Sequence, residues 1–156
     1  MEGRHNMIRN TKFLRGLAVL LLVFMLALPA VAAKKISVEK NGSYTSKEQV
    51  AAYINRFNKL PNNYITKEQA RNLGWISSQG NLNKVAPGKS IGGDRFGNYE
   101  QLLPAKKGRQ YFECDIDYHG GRRNAKRIIF SNDGLIYYTE DHYNSFELLY
   151  GKENLR

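Results

Sequence analysis

Four side chains in the second half of this 156-residue chain could combine acid–base chemistry with anion binding: Glu113, His142, Arg123 and Arg127. Glu113 falls in a segment in which apolar and polar residues alternate, which is typical of a strand with one polar face. Arg123 and Arg127 are four residues apart, so on a neighbouring strand they would share a face. His142 is expected in a loop between the last two strands. Together they predict an acid–base pair beside an anion clamp.

Phosphodiester transfer is the reaction that needs these groups. A base takes a proton from the attacking hydroxyl, an acid protonates the leaving oxygen, and cations stabilise the charge that develops on phosphate. The alternative is a surface array of ion pairs, in which a glutamate among arginines contributes little. His119 is a rival for the acid, but it lies in a glycine-rich turn that would hold it poorly.

A second constellation is the segment Phe96-Gly97-Asn98-Tyr99-Glu100, which combines aromatic rings, a glycine, an amide and a carboxylate. Proteins hold exposed bases by stacking on rings and by hydrogen bonds to base edges. A carboxylate can accept from both the N1–H and the N2–H of guanine. An ordinary turn can have the same composition, so the segment favours a base-binding loop without requiring one.

The sequence argues against a nucleotide-binding phosphate loop. Gly88-Lys89-Ser90 has the right ending, but Asn83 stands where that motif needs glycine, and no clear strand precedes it. The glycines Gly88, Gly92 and Gly93 are instead expected to support a tight loop.

A metal centre and a disulfide are not expected either. Cys114 is the only cysteine, and its place in an apolar alternation predicts a buried, unreactive thiol. One cysteine and two histidines after the leader fall short of the usual zinc ligands. We therefore expect no metal and no cofactor.

The first 33 residues have the pattern of a secretory signal peptide. A basic stretch precedes an apolar run from Leu17 to Leu28, and small residues at 30–33 follow. A membrane anchor is the alternative, but the apolar run is shorter than a spanning helix needs. We expect a secreted protein with a signal peptide over 1–33, an N-terminal arm or short pro-segment over 34–45 and one domain over 46–156.

The exported chain is strongly basic. Removing residues 1–33 takes away four of the 24 Lys and Arg residues and one of the 14 Asp and Glu residues, which leaves a net charge of +7. Such a surface attracts polyanions, including nucleic acid, anionic lipid and cell-wall polymers. Excess lysine can also serve solubility alone. Charge therefore allows an RNA partner but does not select it.

Helices are expected in the first half of the domain. Capping boxes at Ser46–Gln49 and Thr66–Gln69 predict two helix starts. The first helix should end before Pro61 and the second at Gly74. A weaker helical turn is expected over 82–85.

Strands dominate the second half, at residues 111–117, 125–131, 135–139 and 145–150. Asp133-Gly134 is a hairpin signal between the second and third of these. Helices followed by an antiparallel meander predict an α+β domain, with N-terminal helices packed on a C-terminal antiparallel sheet.

Several longer stretches resemble the barnase-like family of secreted, guanyl-preferring microbial ribonucleases. They are Leu60–Lys67, Leu73–Trp75, Val85–Asp94, Arg123–Asn124, Arg127–Ile128, Leu135–Tyr137, Thr139 and Asp141–Tyr143. The likeness runs without gaps from about Tyr53 to Tyr150. It implies the microbial ribonuclease fold and cleavage of single-stranded RNA without a metal.

The resemblance also implies the residue roles. Glu113 matches the general base and His142 the general acid, and Tyr143 matches the aromatic beside the acid. The cations that bind phosphate and stabilise the transition state are matched by Lys67, Arg123 and Arg127. The implied reaction forms a 2′,3′-cyclic phosphate and then hydrolyses it to a 3′-phosphate.

The base-binding loop is matched less completely. Asn98 and Glu100 fall in the guanine-binding loop, with Phe96 as its packing aromatic, while Gly97 stands where the family has serine. Tyr99 replaces a basic residue. Other departures are Arg122 in place of an aromatic residue, and Tyr111 and Gly134 in place of tryptophans, which leave Trp75 as the only tryptophan.

The expected partners follow from the same resemblance. They are single-stranded RNA and an acidic intracellular inhibitor protein of the barstar type, with a monomeric mature enzyme that does not bind membranes. A basic secreted module that binds RNA or another polyanion without cutting it is the main alternative. A membrane-active or toxin-delivery protein is disfavoured, because no strongly amphipathic basic helix follows the leader.

Overall fold

A computed structural model of the protein describes residues 36–152, so the predicted signal peptide lies outside the described residues. The elements in chain order are α1 (Lys47–Phe57), β1 (Tyr64–Ile65), α2 (Lys67–Asn72), a 3-10 turn (Ser77–Gln79), α3 (Leu82–Val85), β2 (Ser90–Phe96), β3 (Tyr111–Asp115), β4 (Arg127–Ser131), β5 (Ile136–Thr139) and β6 (Glu147–Tyr150). Between residues 36 and 152, no helix is both long enough and apolar enough to cross a bilayer.

The strands form one six-stranded sheet in the order β1-β2-β3-β4-β5-β6. The short β1 runs parallel to β2, and every other neighbouring pair is antiparallel. Helices first and a mainly antiparallel sheet afterwards confirm the predicted α+β class. This order places β3, which carries Glu113, inside the sheet between β2 and β4.

The predicted capping signals start the two longer helices. The Ser46 hydroxyl accepts the backbone N–H of Gln49, and Thr66 forms a reciprocal capping box with Gln69. The first helix ends earlier than Pro61, because Asn58 adopts a left-handed conformation and its N–H donates to the carbonyl of Ile54.

Strand β2 corrects the expectation that its glycines lie in a tight loop. Gly92 and Gly93 lie inside Ser90–Phe96, where the register with β3 shifts. A Cβ atom at Gly92 would lie 2.5 Å from the Cβ of Cys114 and 2.7 Å from the Tyr64 ring. The glycine is there because β2 approaches β3 too closely for a side chain.

Both faces of the sheet are covered by apolar side chains. On one face α1 packs on the sheet through a cluster of Val50, Ala51, Ile54, Cys114, Ile116, Ile128, Ile136 and Tyr138. A separate cluster contains Leu103, Tyr111, Ile129, Leu135 and Tyr137. A third, around α2 and α3, contains Ala70, Trp75, Leu82, Ala86, Ile91 and Tyr118. Because side chains alternate along β3, Glu113 lies on the same face as Tyr111 of the second cluster, and Cys114 of the first cluster lies on the opposite face.

The segment before α1 is packed rather than loose from residue 36 onward. Val38 is 2% exposed and contacts Tyr53, and its carbonyl accepts a hydrogen bond from Arg56. The Tyr53 hydroxyl donates to the carbonyl of Lys40. The polar composition of the segment gave no sign of this packing, because Val38 is the one buried residue between positions 36 and 45.

We expect Asp133→Asn to lower the free energy of unfolding by about 1–3 kcal/mol at neutral pH. Its carboxylate accepts from Nε and Nη2 of Arg109 at 2.8–3.1 Å and from the Ser131 hydroxyl at 2.7 Å. Arg109 also donates to the carbonyl of Pro104, so the pair ties the 104–109 segment to the β4–β5 turn.

The same substitution should matter less in acid. The Arg109 hydrogen bonds lower the pKa of Asp133 to about 2, so its stabilising contribution is present above the unfolded pKa and is lost as pH falls toward 2. Urea titrations at several pH values measure this. Asp117→Asn, at the half-exposed pair with Lys126, is the control and should cost less than about 1 kcal/mol. Equal losses in both variants would contradict the prediction.

Candidate active site

Glu113 lies at the centre of the site, in the middle of β3, and is only 6% exposed. Lys67 Nζ lies 2.5 Å from its Oε1, and the Tyr143 hydroxyl donates to its Oε2. Lys67 is held in place because it is the first residue of α2, where its backbone N–H donates to Asp94. The carboxylate therefore has a hydrogen-bond donor on each oxygen.

These donors decide the charge of Glu113. Burial raises the pKa of its carboxyl group, but hydrogen bonds from Lys67 and Tyr143 and the charges of Lys67 and Arg123 outweigh burial. The net pKa lies below the usual value for glutamate, so the group is an ionised acceptor at neutral pH. Burial and hydrogen bonding to the carboxylate raise the pKa of Tyr143, which keeps its hydroxyl a donor.

Asp115, two residues further along β3, gathers the two arginines. Arg123 donates from Nε and Nη2 to the two carboxylate oxygens at 2.7 and 2.6 Å. Arg127 is paired opposite Asp115 in the sheet, and its buried Nε lies 3.0 Å from Oδ1 without the alignment of a hydrogen bond. Asp115 thus holds Arg123 by two hydrogen bonds and pairs with Arg127, whose Nη1 donates to the carbonyl of Lys126, and the trio has one excess positive charge.

The expectation that both arginines lie on one strand is wrong for Arg123. Arg127 is the first residue of β4, whereas Arg123 lies in the loop before that strand. The loop is held by Asn124, whose side-chain amide donates to the carbonyls of Ile116 and Asp117. Arg123 reaches Asp115 from this loop, so the two cations meet at one acid rather than along one strand.

His142 lies in the predicted loop between β5 and β6 and is exposed. His142 and Tyr143 both have positive φ, at 57° and 75°, which is uncommon for residues other than glycine. Such backbone conformations persist only when neighbouring contacts impose them. In this loop they put the His142 ring 4.7 Å from the Tyr143 ring, whose hydroxyl reaches Glu113.

Asp141 supplies those contacts. Its carboxylate accepts from the Thr139 hydroxyl and from the N–H groups of Asn144 and Ser145, as well as from the Ser145 hydroxyl. The Ser145 and Thr139 hydrogen bonds lower the pKa of Asp141 to about 2. The loop that presents His142 is therefore organised around one ionised aspartate.

The predicted base-binding residues are brought together only in part. The Phe96 ring, at the end of β2, stacks on Tyr143 with centroids 5.2 Å apart. The Asn98 side chain braces its own loop, because its amide pairs with both backbone groups of Leu103 at 2.8 and 3.0 Å. Gly97 and Glu100 are exposed, and Glu100 forms no ion pair with any residue in the described range.

The other candidates stay apart from this cluster. His119 is exposed in its turn. Cys114 is buried as expected, and burial raises the pKa of its thiol, which makes it a poor nucleophile. Across residues 36–152, no group of three or more His, Cys, Asp and Glu side chains could hold a metal ion.

Two residues that organise the site, Asp115 and Asp141, were not predicted from the sequence. The alternation on β3 could have found Asp115, because it puts that residue on the same face as Glu113. No comparable signal marks Asp141, since its role depends on a loop that folds around its side chain.

Tyr143→Phe should move the acid limb of the kcat/KM profile to higher pH. The change removes a hydrogen bond that lowers the pKa of Glu113, while burial, which raises it, remains. A general base, the role predicted for Glu113 from the sequence, works only when deprotonated, so activity should begin to fall at a higher pH than in the wild type. The measurement is kcat/KM against pH with a dinucleotide substrate.

Tyr118→Phe is the matched control. Its hydroxyl donates to the carbonyl of Gly121 and makes no hydrogen bond to Glu113. An acid limb that stays in place in Tyr143→Phe, or one that moves in both variants, would contradict this account of the site.

The chain is similar in sequence to known ribonucleases. A family model described as ribonuclease matches residues 47–150. The chain is 58% identical over 97 residues to a ribonuclease of Heyndrickxia coagulans. The matched stretch covers 62% of this chain and 89% of that protein. It has the same identity over the same length to ribonucleases of Bacillus intermedius and Bacillus pumilus, and there the match spans 60% of each relative. The range matched by the family model contains every residue of the cluster described above.

Proposed function

Because this chain belongs to the microbial, barnase-like ribonuclease family, we propose that it cuts single-stranded RNA after guanosine, with Glu113 as general base and His142 as general acid. That it is an RNA-cleaving enzyme follows from the family. The observation that carries the finer proposal is the buried, ionised Glu113 beside the arginines on Asp115 and the loop of His142.

In the first step Glu113 takes the proton of the ribose 2′-hydroxyl, and the 2′-oxygen attacks phosphorus. The bond from phosphorus to the 5′-oxygen of the next nucleotide breaks, and protonated His142 gives its proton to that oxygen. The products are a 2′,3′-cyclic phosphate and a free 5′-hydroxyl. Because the attacking group is the 2′-hydroxyl, DNA is not a substrate.

The cations act on the phosphate. Lys67, Arg123 and Arg127 surround the two carboxylates and exceed them in charge by one. A phosphodiester brought into this cluster would meet guanidinium groups whose positions Asp115 and, for Arg127, the carbonyl of Lys126 already hold. Groups arranged before the reaction need no reorganisation as charge develops, which is how such sites lower a barrier.

In the second step the two groups exchange roles. Neutral His142 takes a proton from water, and the hydroxide attacks phosphorus. The bond from phosphorus to the 2′-oxygen breaks, and the protonated Glu113 returns its proton to that oxygen. The product is a 3′-phosphate, and both groups are back in their starting states. The reaction uses only side chains, so we propose that it is independent of metal ions.

For base recognition we propose the loop that follows β2. The Phe96 ring is held against Tyr143, and the Asn98 brace fixes the shape of the loop. The backbone N–H of Gly97 and the carboxylate of Glu100 are then available for the edge of guanine. Tyr143 serves as the link between this loop and Glu113.

Digestion of a defined oligonucleotide with one guanosine tests the proposal. In the presence of a chelator, mass spectrometry should find cleavage after that guanosine, first as a cyclic phosphate and later as a 3′-phosphate one water heavier. Cleavage that stops with the chelator, or that leaves 5′-phosphate ends, would contradict it. An RNA-binding module without activity would shift the oligonucleotide in a gel but leave it intact.

We also propose that the mature chain is secreted as a monomer and that an acidic inhibitor of the barstar type protects the producing cell. The support is the leader pattern and the net charge of +7 after residue 33. Affinity capture on the inactive Glu113→Gln protein from the producing cells should retain an acidic protein that native enzyme displaces.

A further inference from the structure

We propose that Tyr99, seated on Gly97, forms a stacking platform for the base of the nucleotide on the 5′ side of the cleaved guanosine. The inference rests on the proposed function and adds a second nucleotide site to it. It begins from two departures from the family pattern that the structure joins into one feature.

Tyr99 is 89% exposed, yet its ring lies against the loop. A Cβ atom at Gly97 would lie 2.5 Å from Cζ of Tyr99 and 2.8 Å from Cδ2, so the ring rests where a side chain at position 97 would be. The edge of the ring nearest Gly97 therefore lies close to the backbone, and most of the ring surface faces solvent. An exposed ring on a loop that Asn98 braces is suited to stacking, because a base needs an accessible ring face.

A basic cleft of about 820 Å³ adjoins the ring, and Arg95, Lys106, Gln101 and Gln110 contribute to its lining. Arg95 is exposed and forms no ion pair with the acids of residues 36–152. Lys106 is 63% exposed, with Asp133 3.8 Å away. A ring beside cations and side-chain amides fits the base and phosphate of a nucleotide.

The position of the cleft indicates that it would bind the nucleotide on the 5′ side of the guanosine and not the one on its 3′ side. Asp94 is paired with Glu113 between β2 and β3, and Phe96 is paired with Tyr111. The cleft is lined by Phe96 and Tyr111, so it lies toward the start of β3, away from the carboxylate. The scissile phosphate on the 3′ side of guanosine must be near Glu113. The RNA chain on the 5′ side of that guanosine therefore leads away from Glu113, toward the cleft.

The test compares kcat/KM for ApGpU with that for GpU, following release of uridine in both. Stacking on one aromatic ring corresponds to about 5- to 150-fold in affinity, so the wild-type ratio should lie in that range and appear mainly in KM. Tyr99→Ala should bring the ratio close to one, and Tyr99→Phe should keep it. Gly97→Ala should also lower the ratio, because the new methyl group displaces the ring.

Two further substrates separate stacking from other causes. An abasic residue in place of the adenosine should lose most of the advantage while keeping the 5′ phosphate. The 3′-extended GpUpA should show no dependence on Tyr99 relative to GpU. A wild-type ratio near one, a ratio that survives Tyr99→Ala, or an equal effect on GpUpA would overturn the inference. If GpU itself is not cut, the proposed function fails instead.

Discussion

Glu113→Gln should lower kcat/KM for GpU by about 10²- to 10⁴-fold, the usual contribution of a general base. The amide is nearly isosteric, so it occupies the same space on β3 but cannot accept the 2′-hydroxyl proton. Steady-state kinetics above the acid limb of the wild type measure the loss. Circular dichroism and thermal melting establish whether the variant keeps the native fold.

A chemical control distinguishes loss of a base from loss of an acid. The loss in Glu113→Gln should persist with a guanosine 3′-(4-nitrophenyl phosphate) substrate, because attack by the 2′-hydroxyl is still required. Asp117→Asn, an acid-to-amide change at the half-exposed pair with Lys126, should keep wild-type rates. A Glu113→Gln enzyme with close to full activity on both substrates would disprove the assignment of the base.

His142→Ala should reduce cleavage of GpU by a similar factor of about 10² to 10⁴. Its side chain is exposed and its ring touches Tyr143, so the deletion removes little packing. With the nitrophenyl substrate most of the loss should vanish, because nitrophenolate leaves without a proton. Comparison of kcat/KM for the two substrates in wild type and variant is therefore the decisive measurement.

His119→Ala is the matched control for this variant. His119 is the other described histidine and is also exposed, so its removal should leave both rates unchanged. If His119→Ala caused the larger loss on GpU, or if His142→Ala lost as much on the nitrophenyl substrate, the acid would have to be reassigned.

The strand that carries Glu113 could be predicted because its pattern is local. Alternation along 111–117 separates polar from apolar faces, and the observed β3 keeps that separation although it ends at Asp115. Its neighbour β2 could not be predicted in this way. Its two glycines are needed for contact with Cys114 and Tyr64, residues far away in sequence, so no local pattern signals the strand.

The anion clamp shows where spacing misleads. Four residues along a strand span about 13 Å. Two arginines this far apart on one strand would lie too far from each other to pair with the same carboxylate. The chain solves this with a loop that brings Arg123 back to the acid opposite Arg127. The residue types were therefore sufficient to suggest the chemistry. That both arginines pair with Asp115 depends on how the loop folds, which the sequence pattern does not show.

For the loop of His142, the position in the chain could be predicted from the sequence, but its conformation could not. Its place between the last two strands follows from the strand pattern, and the structure confirms it. Its left-handed backbone and the network around Asp141 depend on contacts that only the folded loop contains. The N-terminal segment is similar, because one valine against α1 orders a stretch whose composition is polar.

The proposed base and the proposed acid lie in regions that differ in their stability against local unfolding. Glu113 belongs to an interior strand whose hydrogen bonds break only when the sheet comes apart, whereas His142 depends on a surface loop clasped by a single carboxylate. Regions with few buried contacts open at a lower free energy than the core. On heating, catalysis should thus fail while the sheet is still intact, so the loop limits the working temperature of the enzyme and the sheet sets its melting temperature.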